Sequence, residues 1–428
     1  MSEETLVSFV LATRNRSKVL VHALEQIQRC GLDRRDYEIL VVDNGSTDGT
    51  AGAIRSDVDC VVELSYNGGS CAKDFAAELA AGRYIVFLDD DSFPRPGAVP
   101  RMIQVFEQNK RLGAAGYTIH LADGRKEGAA LPDVFVGCGV GLRAAALHAV
   151  GGLDRSFFMQ AEEYDLSFRL AGAGWDVGVF DELHVEHRKT THSRRGDRTA
   201  YYDIRNNLRV AARYLPQRWH RAYRQDWLQR YRWLAERDGH TGACRRGLIA
   251  GRCWAAVDRQ THRRMRLPVH SLERFFCWGQ IRRRMQEIAE SGVRRIVLAG
   301  LGKNCLPFCA AATKCDITVA AIGDDCFHAP GRRYRGIPVL RLNDALALPV
   351  DAVVVAQTGS VQAEATLATV VRHTSLPASS WFSRESHKNI LEQESVTSGR
   401  PHRDGQLGPS PLCRQTDPET EQVVGALR

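Results

Sequence analysis

The sequence predicts an α/β protein with a doubly wound N-terminal domain, a helical middle region and a second, smaller α/β domain. Short apolar runs alternate with stretches of helical periodicity over residues 5–88, and the same alternation returns after residue 290. Residues 200–290 between them have helical periodicity and carry five of the seven tryptophans. We therefore expect domains at 1–210, 211–289 and 290–385, followed by a polar, disordered tail at 386–428.

The N-terminal elements are predicted in a regular order. Apolar runs predict strands at 5–12, 37–43, 58–64 and 84–88. Helical spacing predicts helices at 17–30 and 70–81, with a short helix after the turn residues 44–50. Alternating strands and helices form a doubly wound sheet, whose ligands bind beyond the carboxyl ends of the strands. Asp43 and the run Asp89-Asp90-Asp91 stand at two such ends.

The composition is that of a globular protein. Hydrophobic residues make up 44% of the 428 residues, which is enough for large cores. The chain has no run of 18 apolar residues and no basic segment followed by an apolar one at its start, so we expect neither a membrane-spanning helix nor a signal peptide. Its 12 cysteines include no CxxC pair. We therefore expect reduced thiols, a cytoplasmic location and no structural zinc site.

Positive charge is concentrated in one block. Residues 188–284 hold 25 Lys and Arg against 7 Asp and Glu, whereas the whole chain has a net charge of +8. Such a block suits an anionic partner, and its tryptophans are compatible with peripheral contact with a membrane surface. A nucleic-acid surface is the rival partner, which we do not expect, and the interpretation we favour is a helical subdomain with tryptophans in its core and arginines in solvent.

The acidic run Asp89-Asp90-Asp91 indicates a cation site. Three carboxylates at one strand end repel one another and raise one another's pKa. A bound Mg2+ or Mn2+ removes this cost, because hard cations prefer oxygen ligands and bridge to phosphates. The alternative is a helix cap or a solvated acidic turn.

Six segments in a fixed order resemble a known family. They are VSFVLATRNR, EILVVDNGSTDGT, Asn67-Gly68-Gly69, YIVFLDDD, GLDRSFFMQAEEYDLSFRL and VEHR. From about Leu6 to about Leu208 the chain resembles the family 2 glycosyltransferases, inverting enzymes with the GT-A fold. The resemblance implies sugar transfer from a nucleotide-sugar donor, either a UDP- or a dTDP-sugar with rhamnose as one candidate, to a hydroxyl of a glycan or lipid-linked acceptor. The alternative is a non-catalytic nucleotide-sugar-binding or scaffold protein, and the sequence does not define the oligomeric state.

The resemblance also implies a nucleotide-sugar site. Asp43 is expected to accept a hydrogen bond from the nucleotide base, unless it only forms an Asx turn with the residues that follow. Asp89 is expected to face the ribose or the donor sugar, and Asp90 to help position the loop. The other expected members of this site are Thr13, Arg14, Asn15, Asn67, Gly69 and Lys73.

Two ligands are implied for the metal, Mn2+ or Mg2+. Asp91 is the first, and the metal is expected to stabilise the departing nucleoside diphosphate as a Lewis acid. His187 is the second, with His184 as the alternative, because imidazole beside oxygen ligands suits Mn2+ better than Ca2+. Nearby basic residues that are candidates for holding the diphosphate are Lys189, Arg194 and Arg195.

An inverting transfer needs a base that deprotonates the acceptor hydroxyl. The candidates are Glu163, Glu162 and Asp165. The family usually has Glu-Asp where this chain has Glu162-Glu163, so Glu163 is the expected base, on a side chain one methylene longer. Asp165 has an alternative role, an ion pair with Arg169 four residues on. Cys138, in the glycine-rich segment 137–141, has no evident base partner and is not expected to be a nucleophile.

The second α/β domain has its own pattern. Apolar runs predict strands at 293–299, 317–322 and 351–356. The segments VLAGLGKN, IGDD, YRGIPVL and DAVVVA resemble the Rossmann-like N-terminal domain of sugar O-acyltransferases. Gly300 and Gly302 form GxG, Cys305 stands in place of the third glycine, and Asp324 follows at a ribose-binding distance. The alternative to a ligand site is a degenerate domain that serves assembly.

Overall fold

The computed structural model of the protein describes residues 5–189, 196–261 and 267–380. The chain divides into two compact units, Met1–Phe276 and Cys277–Arg428. The helices within 211–289 are divided between these units. The expected tail at 386–428, Arg194 and Arg195 lie outside the described residues.

The first unit alternates strands and helices before it becomes helical. Its strands are β1 (Val7–Thr13), β2 (Tyr37–Asp43), β3 (Cys60–Glu63), β4 (Tyr84–Asp89), β5 (Ser92–Pro94), β6 (Leu112–Leu121), β7 (Lys126–Glu127), β8 (Gly139–Arg143) and β9 (Asp176–His187). Its helices are α1 (Ser17–Ile27), α2 (Thr50–Ile54), α3 (Lys73–Ala77), α4 (Ala98–Gln108), α5 (Ala144–Ala149), α6 (Glu162–Gly172), α7 (Asp197–Tyr214), α8 (Gln217–Arg237), α9 (Thr241–Thr261) and α10 (Val269–Phe276).

The described strands of the first unit form one mixed sheet in the order β3-β2-β1-β4-β8-β6-β9-β5, with β7 beside β6. Strands β1 to β4 are parallel, whereas β8 is antiparallel to both β4 and β6. Thr13 at the end of β1 pairs with Asp43, and Ala12 pairs with Asp89. The carboxyl ends of three neighbouring strands therefore bring Asp43 and the aspartate run to the same edge.

Helices cover both faces of this sheet. Along β1, Phe9 and Leu11 pack in a core with α1 and α4, whereas Val10 packs in a second core with α3, α5 and α6. Successive residues of a strand point to opposite faces, so β1 is apolar except at Ser8 and Thr13 because both of its faces are buried. The predicted doubly wound α/β fold class is confirmed.

The helical region of this unit buries two of its four tryptophans. Trp219 and Trp227 are 1% exposed, whereas Trp254 on α9 is 38% exposed. Helix α9 approaches α7 closely at Gly247, where an added Cβ would lie 2.3 Å from the carbonyl oxygen of Tyr201. None of the helices in the described ranges is long and apolar enough to cross a lipid bilayer.

The second unit is a smaller α/β domain, as predicted. Its strands are β10 (Arg295–Ala299), β11 (Thr318–Gly323), β12 (Arg333–Tyr334), β13 (Ile337–Leu340), β14 (Ala352–Val355) and β15 (Ala378–Ser380), and its helices are α11 (Trp278–Glu290), α12 (Leu306–Lys314), α13 (Leu342–Leu346) and α14 (Ser360–His373). Within the described residues the sheet order is β12-β13-β11-β10-β14-β15, with β10 parallel to β11 and β14.

The loop after β10 is held by contacts inside the protein. Asp324 accepts hydrogen bonds from the backbone N–H groups of Leu301, Cys326 and Phe327. Gly300 has a φ of +84° and packs so closely on Gln357 that an added Cβ would lie 2.5 Å from its amide nitrogen. The glycine and the aspartate therefore shape the loop itself, and a ligand at this loop stays a prediction.

Candidate active site

The turn after β4 directs Asp89 towards a buried lysine. Asp89 Oδ1 accepts a hydrogen bond of 2.7 Å from Lys73 Nζ, and the same ammonium group donates to the carbonyl oxygen of Gly137 at 2.9 Å. Lys73 is buried, and a buried ammonium group needs such partners to stay charged. The predicted donor-site residues Lys73 and Asp89 therefore lie together, beside the glycine-rich segment 137–141.

Asp90 faces the turn after β1. Its carboxylate accepts a hydrogen bond of 2.8 Å from Thr13 Oγ1 and pairs with Arg16. Burial raises the pKa of Asp90 to about 6, against the opposing effect of Arg16. Asp90 thus ties the β4 turn to the β1 turn, which is a positioning contact.

Asp91 lies against a buried histidine at the end of β9. Its Oδ1 is 3.2 Å from His187 Nε2, and its Oδ2 accepts a hydrogen bond of 2.9 Å from Arg16. His187 Nδ1 is 2.9 Å from Glu127 Oε2, and Glu127 also binds Lys189 Nζ at 2.6 Å. Burial alone would lower the pKa of His187, but its hydrogen bonds to Asp91, Cys138 and Glu127 raise it to about 11. Asp91 and His187 are therefore brought together, with Glu127 behind them.

The other predicted histidine does not join this group. His184 Nδ1 lies 3.1 Å from His120 Nε2, on the neighbouring strand β6. Burial and the nearby Arg95 lower the pKa of His184. Of the two histidines considered, only His187 contacts the aspartate run.

The turns after β1 and β2 are joined by hydrogen bonds. Asp43 Oδ1 accepts from the backbone N–H of Ser46 at 3.0 Å, which is the Asx-type turn considered as its alternative role. Asn15 Oδ1 accepts from the backbone N–H of Thr47 at 2.7 Å, and Asn15 has a φ of 53°. Arg14 is exposed. The predicted nucleotide-binding residues therefore share one end of the sheet, and base recognition by Asp43 stays a prediction.

The Asn67-Gly68-Gly69 segment is packed against the loop that leads into α6. Asn67 Oδ1 accepts from the backbone N–H of Gly69 at 2.9 Å. Gly69 has a φ of +71°, and an added Cβ would lie only 2.2 Å from the carbonyl oxygen of Phe158. Glycine is required here for both reasons. The Asn67-Gly68-Gly69 segment, which we call the donor segment, is therefore in direct contact with the segment that carries Glu162, Glu163 and Asp165, which we call the acid segment.

The two glutamates at the start of α6 differ in their surroundings. Glu162 Oε1 accepts a hydrogen bond from Ser70 Oγ, which follows the Asn67-Gly68-Gly69 segment. Glu162 Oε2 is buried and has no hydrogen-bond partner among the residues that the structure describes. Glu163 is half-buried. Glu162 is therefore the acid that contacts the donor segment.

Asp165, the third candidate base, is part of a buried ion network. It is fully buried and binds Arg169 through Oδ2 at 2.8 Å, and its Oδ1 accepts from Arg213 at 2.8 Å and from Tyr214 at 2.6 Å. Burial opposes the charge on Arg213, but the carboxylates of Asp165 and Asp258 raise the pKa of this guanidinium. Since both oxygens of Asp165 are engaged, we assign it a structural role, of which the ion pair expected with Arg169 is one part.

A strained loop precedes the glutamates. Phe158, Gln160 and Ala161 have φ values of 67°, 69° and 65°, a region that costs energy for residues other than glycine. Asn206 on α7 donates to the carbonyl oxygens of Met159 and Gln160, each at 2.7 Å. Such strain persists only where the surroundings fix it, so α7 holds the loop that presents Glu162 and Glu163.

A second side chain of α7, Arg205, also holds this loop. Arg205 donates to the carbonyl oxygens of Ser156 and Phe157, both at 2.7 Å, and to Asn206 Oδ1 at 2.7 Å. Its guanidinium also lies over the ring of Tyr202 at 4.4 Å. Sequence reasoning missed Arg205 and Asn206, because their partners are carbonyl groups almost fifty positions away and carry no side-chain signal.

We predict that Asn206→Ala lowers kcat by up to about 100-fold while the donor KM changes little, because small displacements of reacting groups have effects of this size. Steady-state kinetics would measure both constants, with a glycosyl donor that the wild type turns over. Asn207→Ala is the matched control, since among the described residues the Asn207 side-chain amide donates to the backbone carbonyl of Asp203 on its own helix and not to the loop. Equal losses of kcat in both variants would show that Asn206 serves stability alone.

The donor atoms at this edge fit a divalent cation. Asp89, Cys138 and His187 each offer one ligand atom, and these atoms all lie within 4.8 Å of one another. Asp91 adds an oxygen beside His187. Carboxylate oxygens with an imidazole suit Mn2+, and carboxylates alone suit Mg2+, whereas the sulfur of Cys138 is a softer ligand. The set Asp89, Asp91 and His187 therefore matches the expected metal better than one that includes Cys138.

Part of the chain matches a known family. Residues 8–129 match the glycosyl transferase family 2 model. The matched segment includes the strand ends with Asp43 and the aspartate run, and it ends before the acid segment and His187. For this part of the chain the match supports the predicted family 2 resemblance and, with the sheet order above, the GT-A fold class.

Individual proteins of the same kind are similar to the chain. The glycosyltransferase AglE of Haloferax volcanii is 29% identical over 94 residues, which cover 21% of this chain and 31% of AglE. The UDP-Glc:alpha-D-GlcNAc-diphosphoundecaprenol beta-1,3-glucosyltransferase WfaP of Escherichia coli is 28% identical over 109 residues, which cover 24% of this chain and 43% of WfaP. The matches thus span less than half of either relative, and they support a glycosyltransferase role.

One solved structure to which the chain is similar is that of the mannosyltransferase PcManGT from Pyrobaculum calidifontis in complex with GDP-Man and Mn2+. It is 16% identical, with a TM-score of 0.41 over 60% of this chain and 87% of PcManGT.

Proposed function

We propose that the chain is an inverting, metal-dependent glycosyltransferase that uses a UDP- or dTDP-sugar. The observation that carries the proposal is the meeting, at one edge of the sheet, of three groups. They are the nucleotide-side turns, the Asp89-Asp91-His187 donor set and the Asn67-Gly68-Gly69 segment that contacts the α6 glutamates. This arrangement supplies a place for the diphosphate and carboxylates on the side of the acceptor.

The residues at this edge of the sheet are proposed to have separate roles. Asp43 and Asn15 shape the turns that receive the nucleotide, and Lys73 holds Asp89 beside Gly137. Asp89, Asp91 and His187 would hold Mn2+ or Mg2+, which supplies Lewis-acid stabilisation to the departing nucleoside diphosphate. Arg16 fixes both Asp90 and Asp91, so the orientation of these carboxylates is set before a ligand binds.

The test of the reaction is donor turnover. Wild-type protein would be incubated with UDP-, dTDP- and GDP-sugars and Mn2+ or Mg2+, with release of the nucleoside diphosphate as the readout. We expect hydrolysis or transfer with a UDP- or dTDP-sugar. Donor binding without turnover under any acceptor condition would favour the alternative, a non-catalytic nucleotide-sugar-binding or scaffold protein.

Proton transfer is assigned to Glu163. Its half-buried carboxylate follows Glu162, which Ser70 already holds. We propose that Glu162 instead accepts a hydrogen bond from a sugar hydroxyl, because its second oxygen is buried without a partner among the described residues. The two acids would then act on different molecules, Glu163 on the acceptor and Glu162 on the donor.

Glu163→Gln is expected to lower kcat at least about 100-fold with little change in donor affinity, because it removes the general base. Glu162→Gln is expected to weaken donor binding more than it lowers kcat. Glu163→Asp, which restores the usual residue of the family, should retain activity. Kinetics and donor titration of the three variants would test this, and the opposite pattern would assign the base to Glu162.

The acceptor is proposed by analogy. The name of WfaP describes an acceptor linked to diphosphoundecaprenol, so a glycan or lipid-linked acceptor is proposed here too. Such an acceptor would place the chain in the cytoplasm, at the inner face of a membrane.

A further inference from the structure

Helix α9 has two different faces. Its inner face packs on α7 through Gly247 and Gly251, where an added Cβ would lie 2.3 Å from Tyr201 and 2.9 Å from Arg205. The outer face of α9 is formed by the exposed residues Arg245, Ile249, Arg252, Cys253, Ala256 and Val257. These positions recur three or four residues apart, which places them on one side of a helix.

The outer face of α9 exposes large apolar side chains. Ile249 is 63% exposed and Val257 is 50% exposed. Among the described residues six large hydrophobic side chains are exposed, and Ile249 and Val257 are the two that lie on this face, whereas Trp254 is exposed on another side of α9. Single exposed apolar residues are common on protein surfaces, whereas a cluster on one helix indicates a contact surface.

The same face is basic and has no acid. Arg245 and Arg252 flank the apolar side chains. The one acidic residue of α9, Asp258, is 1% exposed and binds Arg209 and Arg213 inside the protein. Among the described residues the arginines of the outer face have no acid on their own helix to pair with, so they are available to an external anion.

We propose that the outer face of α9 docks on an anionic lipid surface. Aliphatic side chains enter the interface between headgroups and acyl chains, while flanking arginines bind the lipid phosphates. A second copy of the chain is a poorer occupant, because a symmetric contact would place arginines against arginines. A nucleic acid would use the arginines but leave Ile249 and Val257 in water.

The test is co-sedimentation of the full chain with vesicles, without donor or metal. We expect vesicles of phosphatidylcholine with phosphatidylglycerol to bind more than about tenfold better than phosphatidylcholine alone, since each basic residue near such a surface contributes about fivefold. Ile249→Glu with Val257→Glu should lower this binding more than about tenfold, and Arg245→Glu with Arg252→Glu should do the same. Binding of the wild type should also weaken as salt is raised.

Val371→Glu is the matched control, because Val371 is 61% exposed on α14 of the second unit. It should bind vesicles as the wild type does. Equal binding by the α9 variants and the wild type, or no binding by the wild type, would overturn the proposal. If light scattering shows a dimer that Ile249→Glu converts to a monomer, the face belongs to a second copy of the chain and the proposal is overturned. It is also overturned if a nucleic acid competes with vesicles for the protein and Ile249→Glu does not change this competition. Because no donor is present, the result does not depend on the proposed reaction.

Discussion

Asp91→Ala is expected to lower kcat at least about 1,000-fold, the largest effect on activity that we predict. Loss of a Lewis acid removes several kcal/mol of transition-state stabilisation, and each 1.4 kcal/mol is a factor of ten. Contacts with His187 Nε2 at 3.2 Å and with Arg16 at 2.9 Å hold the Asp91 carboxylate in place. The variant would therefore lose both a proposed metal ligand and the partner of His187.

Asp90→Asn is the control that separates the loss of a proposed metal ligand from the loss of a buried carboxylate in the same turn. Asp90 is a neighbouring buried carboxylate that shares Arg16 with Asp91 but contacts Thr13 instead of His187. Titration of Mn2+ and measurement of kcat in both variants would show whether metal affinity and turnover fall together in Asp91→Ala alone. An Asp91→Ala enzyme with kcat within tenfold of wild type would remove Asp91 from the site.

Asp165→Ala is expected to lower the free energy of unfolding by about 3–5 kcal/mol, the cost of leaving buried charges without their partner. Asp165 is fully buried and touches Arg169, Arg213 and Tyr214. Its removal would leave Arg169 without the one ion pair that the structure gives it among the described residues. Urea denaturation of the variant and the wild type would measure the loss.

Asp154→Ala provides a comparison for the same network. Asp154 pairs with Arg213 at 2.7 Å, but its side chain is 27% exposed, so water replaces part of what is lost. We expect a smaller loss of stability than for Asp165→Ala. An Asp165→Ala protein with unchanged stability and a kcat as low as that of Glu163→Gln would return Asp165 to the candidate bases.

The strands that carry the site were predictable because they are buried on both faces. The apolar run at 37–43 became β2 over the same residues, and the run at 84–88 became β4 with Asp89 added at its end. The helix expected at 70–81 is shorter, since α3 covers only Lys73–Ala77. The chain must turn into β4 there, and Gly82 packs against Ser8 so closely that an added Cβ would lie 2.6 Å from its backbone nitrogen.

The parts of the site that depend on distant pairing were not predictable. Lys73 was expected in the donor site, but its contact with Gly137 follows from the antiparallel strand β8, which no periodic pattern indicated. Glu127 behind His187 comes from β7, a strand of two residues. Spacing along a sequence identifies strand ends well, and it carries no information on which distant side chain stands behind a ligand.

The basic block also has a meaning that residue counts could not give. Arg205, Arg209 and Arg213 belong to it by sequence, yet they are buried and bind the loop before α6 or the carboxylates of Asp154, Asp165 and Asp258. Only part of the block is therefore available to an external anion.

The hydrogen bonds from α7 to the loop before α6 limit where this protein can be truncated or recombined. A chain cut after Arg195 would retain every residue predicted for donor, metal and base, and it would lose Asn206 and Arg213. Its glutamates would then be presented by a loop with three unfavourable φ values and without the hydrogen bonds that α7 donates to it. The part of the chain needed for this chemistry therefore extends through α7 to Asp258 on α9. Exchange of the helical region between related proteins would also exchange the contacts that position the proposed base.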